Sequence, residues 1–464
     1  MSSTQSAKVI GVDSSTQSVK VVVRDALTGE LLASSSRPHP NGTEVDPQSW
    51  WVALQEALAE VGGLDGVAAI SIAGQQHGMV VLDEAGEVIR PALLWNDTRS
   101  ADAAQQLNTE FPNIHSLVGS QLVASFTASK LRWLRENEPE NAQRVRAVAL
   151  PHDWLSWKLT GSKNLADLFT DRSDASGTGY FDPVSNTYNM QLLEASLGHT
   201  NVVLPRVLAP TEAGWNKNGL VIAPGAGDNA GGALGVGATV GDLVISLGTS
   251  GTAFVVSATP THDSSGEVAG FADTTGNFLP LACTLNAAKV FDSTSKLLGV
   301  SHEEFGTLAL TATSGAGGLT FLPHFDGERT PNRPDARGGI TGITHENFTP
   351  ANIARAAIEG VVASMAYAAA ALEKLGVSYN RIILIGGGAR NPAVQQIMTE
   401  IFGSDIYLPG TGEYVADGAA RQAAWVALGS ENPPGWSGGE FQKIALTQSA
   451  PEVRERYLAA IAAI

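Results

Sequence analysis

The chain has 464 residues, of which 43% are hydrophobic and 16% charged, an ordinary balance for a globular protein of roughly two to four domains. Its 29 basic and 46 acidic residues give a formal charge of −17, which disfavours nucleic acid and anionic membranes as partners. The single cysteine excludes an internal disulfide, and no apolar run fits a signal peptide or a membrane helix. We therefore expect a soluble cytoplasmic protein.

The sequence opens with a predicted hairpin. Short runs rich in β-branched residues predict strands at Lys8–Asp13, Val19–Arg24 and Leu31–Ser36. The turn after Asp13 carries several hydroxyl side chains, including that of Thr16. Main-chain N–H groups and hydroxyls in such a turn can converge on a phosphate. One turn of this kind is weak evidence, because a plain hairpin is the commoner explanation.

A polar cluster follows the next predicted strand. A helical pattern at Pro47–Val61 leads into a buried strand at Val67–Ala73, and Gln75, Gln76 and His77 come directly after it. Adjacent amide and imidazole groups can read several hydroxyls at once, as a polyol site requires. A purely structural histidine is the alternative, and the sequence supports the two interpretations about equally.

The segment Trp95–Arg99 also follows an apolar run. The indole of Trp95 could cover the carbon face of a sugar. It is equally consistent with the sequence that Trp95 is buried while Asp97 and Arg99 form a pair that braces the loop.

A carboxylate is predicted at a strand-to-helix junction. The strand Val221–Ala223 leads through a glycine-rich loop to Asp228, and the small residues after it are typical of a tightly packed helix. A carboxylate there could accept the proton of a sugar hydroxyl as that hydroxyl attacks phosphorus. The competing interpretation is an N-cap aspartate with no catalytic role.

The opening hairpin recurs in the second half of the chain. Strands are predicted at Asp242–Leu247 and Thr252–Ser257, joined by the small-residue turn Gly248–Gly251. When the two hairpins are aligned, Thr16 falls on Thr249. Two such turns argue for duplicated lobes that hold one polyphosphate between them. We place the lobes at residues 1–240 and 241–464.

Further helix and strand signals support a duplicated α/β fold. Thr349–Leu375 has the strongest helical pattern, with Thr349 suited to the N-cap and Pro350 to the first helical position. The strand Arg381–Ile385 runs into three glycines, 386–388, which leave room for a flat base or a phosphate against the backbone. Asn391 then suits the N-cap of another helix.

Two other classes of site are excluded. The sequence contains no G-x-x-x-x-G-K-[ST] motif and therefore no P-loop. Its nine histidines are scattered, and no His/Cys cluster with metal-ligand spacing occurs. The metal expected here is Mg²⁺ that arrives with a nucleotide.

Together these motifs resemble the FGGY family of carbohydrate kinases, along nearly the whole chain. The resemblance rests on motifs in the family's order: Asp13–Lys20, Ala73–Gly78, Leu94–Asp97, Gly227–Ala230, Ser246–Gly251, Gly327–Pro331, Ile385–Arg390 and Asp417–Ala420. It implies two ribonuclease H-like lobes of the actin, Hsp70 and hexokinase type with a cleft between them. It also implies ATP and Mg²⁺ as cofactors and, from Gln-x-His-Gly with Trp-Asn-Asp, D-xylulose as the sugar. A homodimer is common among relatives.

The resemblance also implies roles for individual residues. Asp228 would be the general base, and Asp13 would organise Mg²⁺ through its waters. The residues expected to bind the sugar are Gln76, His77, Trp95, Asp228 and Asn229. The residues expected to contact ATP are Thr16, Lys20, Gly248, Thr249, Gly387, Gly388 and Asn391.

Two positions depart from the family pattern, and other functions stay open. Ser15 replaces a glycine of the first phosphate turn, and Gln76 stands where methionine is frequent in relatives that act on xylulose. Because serine tolerates a negative φ, we expect altered phosphate affinity rather than its loss. The alternatives are a kinase for ribulose, a pentitol or gluconate, an actin- or Hsp70-like conformational ATPase, and an idle sugar sensor.

Overall fold

The computed structural model describes residues 7–436 and 441–463. The described chain forms two compact units. The first comprises residues 7–238, 270–279 and 411–436, and the second comprises the rest. The two lobes that we placed on either side of residue 240 stay a prediction, and they did not assign residues 411–436 to the first unit.

Residues 7–240 contain most of the first unit. The strands in this part of the chain are β1 (Lys8–Ser14), β2 (Ser18–Asp25), β3 (Leu31–Pro38), β4 (Glu44–Val45), β5 (Val67–Gly74), β6 (Val80–Leu82), β7 (Ala92–Leu93), β8 (Ala147–Ala149), β9 (Phe169–Asp171), β10 (Phe181–Asp182), β11 (Thr187–Tyr188), β12 (Arg206–Leu208), β13 (Trp215–Lys217), β14 (Leu220–Ile222) and β15 (Ala226–Gly227). Its helices are α1 (Pro47–Glu60), α2 (Ala101–Glu110), α3 (Ile114–Val118), α4 (Thr127–Asn137), α5 (Pro139–Arg144), α6 (Pro151–Thr160), α7 (Arg172–Ala175), α8 (Met190–Leu197) and α9 (Asp228–Gly235).

The rest of the described chain continues this alternation. Its strands are β16 (Asp242–Leu247), β17 (Gly251–Val255), β18 (Val268–Ala272), β19 (Phe278–Thr284), β20 (Thr320–Leu322), β21 (Gly339–Thr341), β22 (Arg381–Ile385), β23 (Ile406–Leu408) and β24 (Gln442–Ile444). Its helices are α10 (Ala288–Leu298), α11 (His302–Thr311), α12 (Pro350–Lys374), α13 (Pro392–Phe402), α14 (Tyr414–Leu428) and α15 (Pro451–Ala462).

The same five-strand arrangement occurs in both units. In the first unit the strand order is β3-β2-β1-β5-β14, where β2 is antiparallel to β1 and β5 is parallel to β1. In the second unit the order β19-β17-β16-β22-β23 has the same relative directions. The predicted mixed α/β fold with an internal duplication is confirmed, and each hairpin lies at its predicted position.

Helix α14 packs against the sheet of the first unit at very short range. A Cβ atom on Gly11 in β1 would lie 2.0 Å from the carbonyl oxygen of Ala416 in α14. A Cβ on Gly418 in α14 would lie 1.8 Å from the carbonyl oxygen of Gly231 in α9. Because real Cβ atoms do not approach oxygen so closely, these glycines allow the three backbones to come into contact.

Helix α12 lies in the core of the second unit. It begins as predicted, because the side chain of Thr349 accepts a hydrogen bond from the backbone N–H of Asn352 and Pro350 occupies the first turn. An apolar stripe along the helix, which includes Ile358, Val361 and Met365, is fully buried. The helix is long and apolar enough to cross a membrane, but 83% of its most apolar window is buried inside the protein. These properties are those of a core helix.

We predict that Gly418→Ala destabilises the first unit, whereas Gly232→Ala does not. The added methyl group at 418 would force α9 and α14 apart, at a cost of about 1–3 kcal/mol. Gly232, in α9, is a matched control, because its nearest neighbour would be the Val415 side chain at 3.7 Å. Thermal unfolding followed by circular dichroism measures both variants. A Gly418→Ala variant that melts at the wild-type temperature would contradict this account of the packing.

Candidate active site

The carboxyl ends of three strands meet at one edge of the sheet in the first unit. Strands β1 and β15 flank β5 and run parallel to it, so that Asp13 and Ala226 both pair with Ala73. Asp228 follows two residues after Ala226, where β15 gives way to α9. The sheet register therefore places Asp13, Asp228 and the residues that follow β5 at the same edge. Open α/β sheets commonly bind ligands there.

The two carboxylates at this edge have perturbed acidities. Asp13 is only 7% exposed, and burial, followed by the charge of Asp228, raises its pKa to about 7. Burial also raises the pKa of Asp228 to about 6, although Asn229 opposes the shift. The backbone and side-chain N–H groups of Asn229 both donate to Oδ1 of Asp228 at 2.8 Å. Carboxylates with pKa values near neutrality are suited to proton transfer.

Asp228 lies at the predicted strand-to-helix junction. The N-cap residue of α9 is Gly227, and Asp228 is the first helical residue. The alternative interpretation, in which Asp228 is the N-cap residue of the helix, is therefore wrong. Its side chain still lies in the first turn, where the helix dipole favours a negative charge.

Gln76 and His77 are buried beside this edge and held by several elements. The Nε2 amide of Gln76 donates to the carbonyl oxygen of Ser173 at 3.0 Å. His77 has φ +70°, a left-handed backbone conformation that is uncommon for residues other than glycine. Its Nδ1 lies 2.7 Å from the carbonyl oxygen of Gly177, and its ring packs edge-on against Phe126 at 4.9 Å.

The Nδ1 contact fixes the hydrogen-bonding character of His77. A carbonyl oxygen can only accept, so Nδ1 carries the proton that is donated to Gly177. A neutral ring then has its lone pair on Nε2, where it can accept a hydrogen bond from a hydroxyl group. Such an acceptor is suited to a sugar.

Trp95 lies close to both the polar cluster after β5 and the predicted phosphate turn after Asp13. Its indole Nε1 donates to the hydroxyl of Thr16 at 2.9 Å, and that hydroxyl lies 3.5 Å from Oε1 of Gln75. The bracing pair of the alternative interpretation is also present, because Nε of Arg99 donates to Asp97 at 2.9 Å. The structure thus has the braced loop, and the indole of Trp95 is half-buried rather than buried.

The first phosphate turn tolerates its serine. Ser15 has no positive φ, and its hydroxyl donates to the carbonyl oxygen of Ser18 at 3.0 Å. His39 supports the same turn, because its Nδ1 lies 2.8 Å from the carbonyl oxygen of Ser15. Lys20 is paired with Glu413, the residue before α14, so its amine would have to change partner to reach a phosphate.

Asp13 has the properties of a residue that interacts with Mg²⁺. Its Oδ1 is buried and has no hydrogen-bond partner among the residues that the structure describes. Carboxylate oxygen is the ligand type that Mg²⁺ prefers, directly or through its waters. The position of Asp13 beside a second carboxylate fits such an ion, because a cation would relieve the repulsion between them.

The second unit contributes its own small-residue turn. Backbone N–H groups at the start of α10 donate to this turn, from Ala288 to the carbonyl of Gly248 at 2.9 Å and from Ala287 to that of Thr249 at 3.2 Å. These bonds fix the turn against the helix, and the Thr249 side chain stays exposed.

A cavity of about 630 Å³ lies in the second unit, next to the triple-glycine turn. It is lined by residues of α10, α11 and the turn, among them Phe291, His302, Leu310, Gly387, Gly388 and Asn391. A Cβ on Gly387 would meet no atom within 4 Å, so a ligand can approach the backbone there. The size and the aromatic wall suit a nucleotide base.

Asn391 has a different local role from the one expected of a ligand contact. Its Oδ1 accepts the backbone N–H of Ala393 and caps α13, as the sequence predicts for an N-cap. Its amide packs so closely on α11 that a Cβ on Gly306 would lie 2.4 Å from Oδ1. Asn391 therefore borders the cavity and also holds its two walls together.

Sequence reasoning missed several residues of these sites. Ser173 supports both strand ends, since its hydroxyl accepts the backbone N–H of Gly227 at 3.0 Å. The polar stretch 171–178 after a short strand was the signal that could have identified it. Phe291 and Leu310 gave no such signal, because apolar residues on amphipathic helices are typical of any core.

Comparisons with known proteins agree with this geometry. The N-terminal domain of the FGGY family of carbohydrate kinases matches residues 8–235, and the C-terminal domain of that family matches residues 243–427. A xylulose kinase from Streptomyces coelicolor is 42% identical over 449 residues, covering 93% of this chain and 90% of the relative.

Solved structures extend the likeness. The crystal structure of xylulose kinase from Bifidobacterium adolescentis is 45% identical, with a TM-score of 0.90 and coverage of 98% of this chain and 99% of that one. A gluconate kinase from Lactobacillus acidophilus is 25% identical with a TM-score of 0.88, and the match covers 99% of this chain and 97% of that one. The fold alone therefore does not select the sugar. The chain belongs to the FGGY family of carbohydrate kinases, enzymes that use ATP as co-substrate.

Proposed function

We propose that this protein transfers the γ-phosphoryl group of ATP to the terminal hydroxyl of D-xylulose and forms D-xylulose 5-phosphate. The observation that carries the proposal is the pair Asp13 and Asp228, raised in pKa at one sheet edge beside Gln76 and His77. Support for xylulose as the substrate comes from two xylulose kinases that are 42% and 45% identical to this chain. The conformational ATPase is not favoured, because the relatives are sugar kinases.

Asp228 is the proposed general base. A primary hydroxyl is a weak nucleophile, so the attack on phosphorus is helped by a carboxylate that removes the proton as the new bond forms. The two N–H groups of Asn229 fix the orientation of the Asp228 carboxylate. With a pKa of about 6, this group is ionised at neutral pH and still basic enough to accept a proton.

Asp13 is proposed to hold Mg²⁺ through its waters, at the phosphates of ATP. When bound, the ion neutralises negative charge on the phosphoryl group that is transferred. Lys20 and Thr16 of the same hairpin, with Gly248 and Thr249 of the second unit, are the proposed phosphate contacts. Gly387, Gly388 and Asn391 are the proposed border of the nucleotide.

Gln76, His77, Trp95 and Asn229 are the proposed sugar contacts, together with Asp228. Their chemistry supports this proposal: the half-buried indole offers a face for the carbon skeleton, and amide and imidazole groups can bond several hydroxyls. Gln76 donates to Ser173, so its orientation is fixed before a sugar binds.

We also propose a cytoplasmic location, consistent with a single cysteine, and a homodimer, on the family resemblance alone.

The substrate is tested by ADP release with Mg·ATP and a panel of D-xylulose, D-ribulose, L-ribulose, xylitol, D-arabitol, gluconate and glycerol. We expect kcat/KM for D-xylulose to exceed that of every other compound at least about tenfold, or about 1.4 kcal/mol of discrimination. A strong preference for another polyol would keep the kinase and change the substrate. No stimulation by any of them would contradict the kinase activity, and stimulation excludes an idle sensor.

The base is tested with Asp228→Asn, which keeps the shape of the side chain and removes its charge. Because proton abstraction is lost, we expect kcat to fall roughly 100- to 10,000-fold while binding of D-xylulose is largely kept. Asp65→Asn is the matched control, since Asp65 is exposed and lies before the start of β5, at the opposite edge of the sheet. An Asp228→Asn variant within tenfold of the wild-type kcat would remove Asp228 from this role.

A further inference from the structure

A buried charged cluster lies beneath the candidate sugar site, outside the residues given roles above. It consists of His152 and Asp153 in the first turn of α6, Asp171 at the end of β9, and Asp174 in α7. Their exposures are 0%, 1%, 2% and 0%. Charged side chains are almost never buried this completely unless they are paired.

Both ring nitrogens of His152 face carboxylate oxygens. Nδ1 lies 2.8 Å from Oδ1 of Asp153, as an ion-pair contact without hydrogen-bond geometry, and Nε2 lies 3.3 Å from Oδ1 of Asp171 and 3.7 Å from Oδ2 of Asp174. A neutral imidazole has a proton on one nitrogen and a lone pair on the other. In either tautomer the lone pair would face a carboxyl oxygen in a buried place. The geometry therefore favours a ring with protons on both nitrogens.

Hydrogen bonds indicate which carboxylates carry the opposite charges. Asp171 accepts the backbone N–H groups of Ser173 at 2.7 Å and Asp174 at 3.0 Å, and Asp153 accepts that of Leu150 at 2.8 Å. Asp174 has no hydrogen-bond partner for either oxygen within the described part of the chain. Asp153 and Asp171 thus each accept backbone N–H groups, whereas Asp174 accepts none, and burial favours the protonated form of Asp174.

The acidities follow the same pattern. Burial favours the neutral ring of His152, but the surrounding carboxylates outweigh it and hold its pKa well above the usual value. Burial raises the pKa of Asp174 well above its usual range. Tyr180 and Tyr188 also lie close to these carboxylates, and burial raises their pKa values, so both stay neutral. Arg172 interacts electrostatically with Asp171, and Asp228 with Asp174.

Asp171 connects the ring to the sugar site through one residue. By accepting the N–H groups at the start of α7, Asp171 fixes Ser173. The Ser173 carbonyl then accepts the amide of Gln76, and its hydroxyl accepts the N–H of Gly227, which precedes Asp228. One short helix therefore holds a sugar contact and the backbone in front of the base.

His152 also packs against both strand ends. A Cβ on Gly225, just before β15, would lie 2.9 Å from Nε2 of His152. A Cβ on Gly74, the last residue of β5, would lie 3.0 Å from Cβ of His152. His152 therefore lies directly against the two backbones that lead to Gln76 and Asp228, with its imidazole against Gly225 and its Cβ against Gly74.

We propose that His152 is a permanently protonated positioning residue, whose charge, held between Asp153 and Asp171, keeps α7 in the shape that orients Gln76 and Asp228 for the sugar. His152 makes no contact with substrate in this proposal and is not a catalytic residue. The effect on sugar kinetics rests on the proposed function, whereas the protonation state does not.

The kinetic test compares His152→Gln, which loses the charge, with His152→Lys, which keeps it. Because a small misplacement of reacting groups is costly, we expect His152→Gln to lower kcat/KM for the sugar roughly 10- to 100-fold, with KM for ATP unchanged. His152→Lys should recover most of that loss. Equal loss in both variants, or none in His152→Gln, would overturn the proposal.

The second measurement does not require activity and therefore stands if the sugar is misassigned. Nitrogen NMR of ¹⁵N-histidine-labelled wild-type protein should show both His152 nitrogens protonated at about pH 8.5, two units above the usual pKa of histidine, about 6.5. The His152→Lys variant assigns the signal by its disappearance. A neutral ring at that pH, or a stoichiometric metal ion lost together with His152, would overturn the proposal.

Discussion

Two carboxyl groups that repel each other, the buried Asp13 and the half-buried Asp228, lie at one edge of a sheet, and the first unit is organised around keeping them there. The parallel register of β1 and β15 on either side of β5 fixes their positions. Close packing of α9 and α14 through glycine fixes the backbone behind them. Burial and mutual repulsion raise the pKa of Asp13, and burial raises that of Asp228. Strain of this kind is typical of functional sites, where a cation and a reacting proton can relieve it.

Much of the fold was predictable because its signals are local. The strands of both hairpins, the N-caps at Thr349 and Asn391 and the position of Asp228 between strand and helix depend on residues within a few positions of each other. The duplication was predictable because the same strand-turn-strand pattern occurs twice. Helix α12 was predictable because its apolar stripe follows the helical period.

The rest depends on contacts between residues that are distant in the sequence. Ser173 meets Gln76 across 97 positions, and the indole of Trp95 meets Thr16 across 79 positions. No periodicity or cap signals such pairs, so their roles follow only from the folded chain. The same holds for His152, which reads in the sequence as an ordinary helix residue. Residues 411–436 belong to the first unit for the same reason. Helix α14 packs on strand β1, which lies about 400 residues earlier in the sequence.

The most direct test of this account is a pH titration of Asp13, monitored by carbon NMR of aspartate-labelled protein without Mg²⁺. The account predicts a pKa of about 7 in the wild type, against an ordinary value of 3.8. Because part of that shift comes from Asp228, the pKa of Asp13 should fall in an Asp228→Asn background and stay above 3.8, since burial remains. A pKa of Asp13 at the ordinary value, or one that does not change in the Asp228→Asn variant, would contradict the paired arrangement.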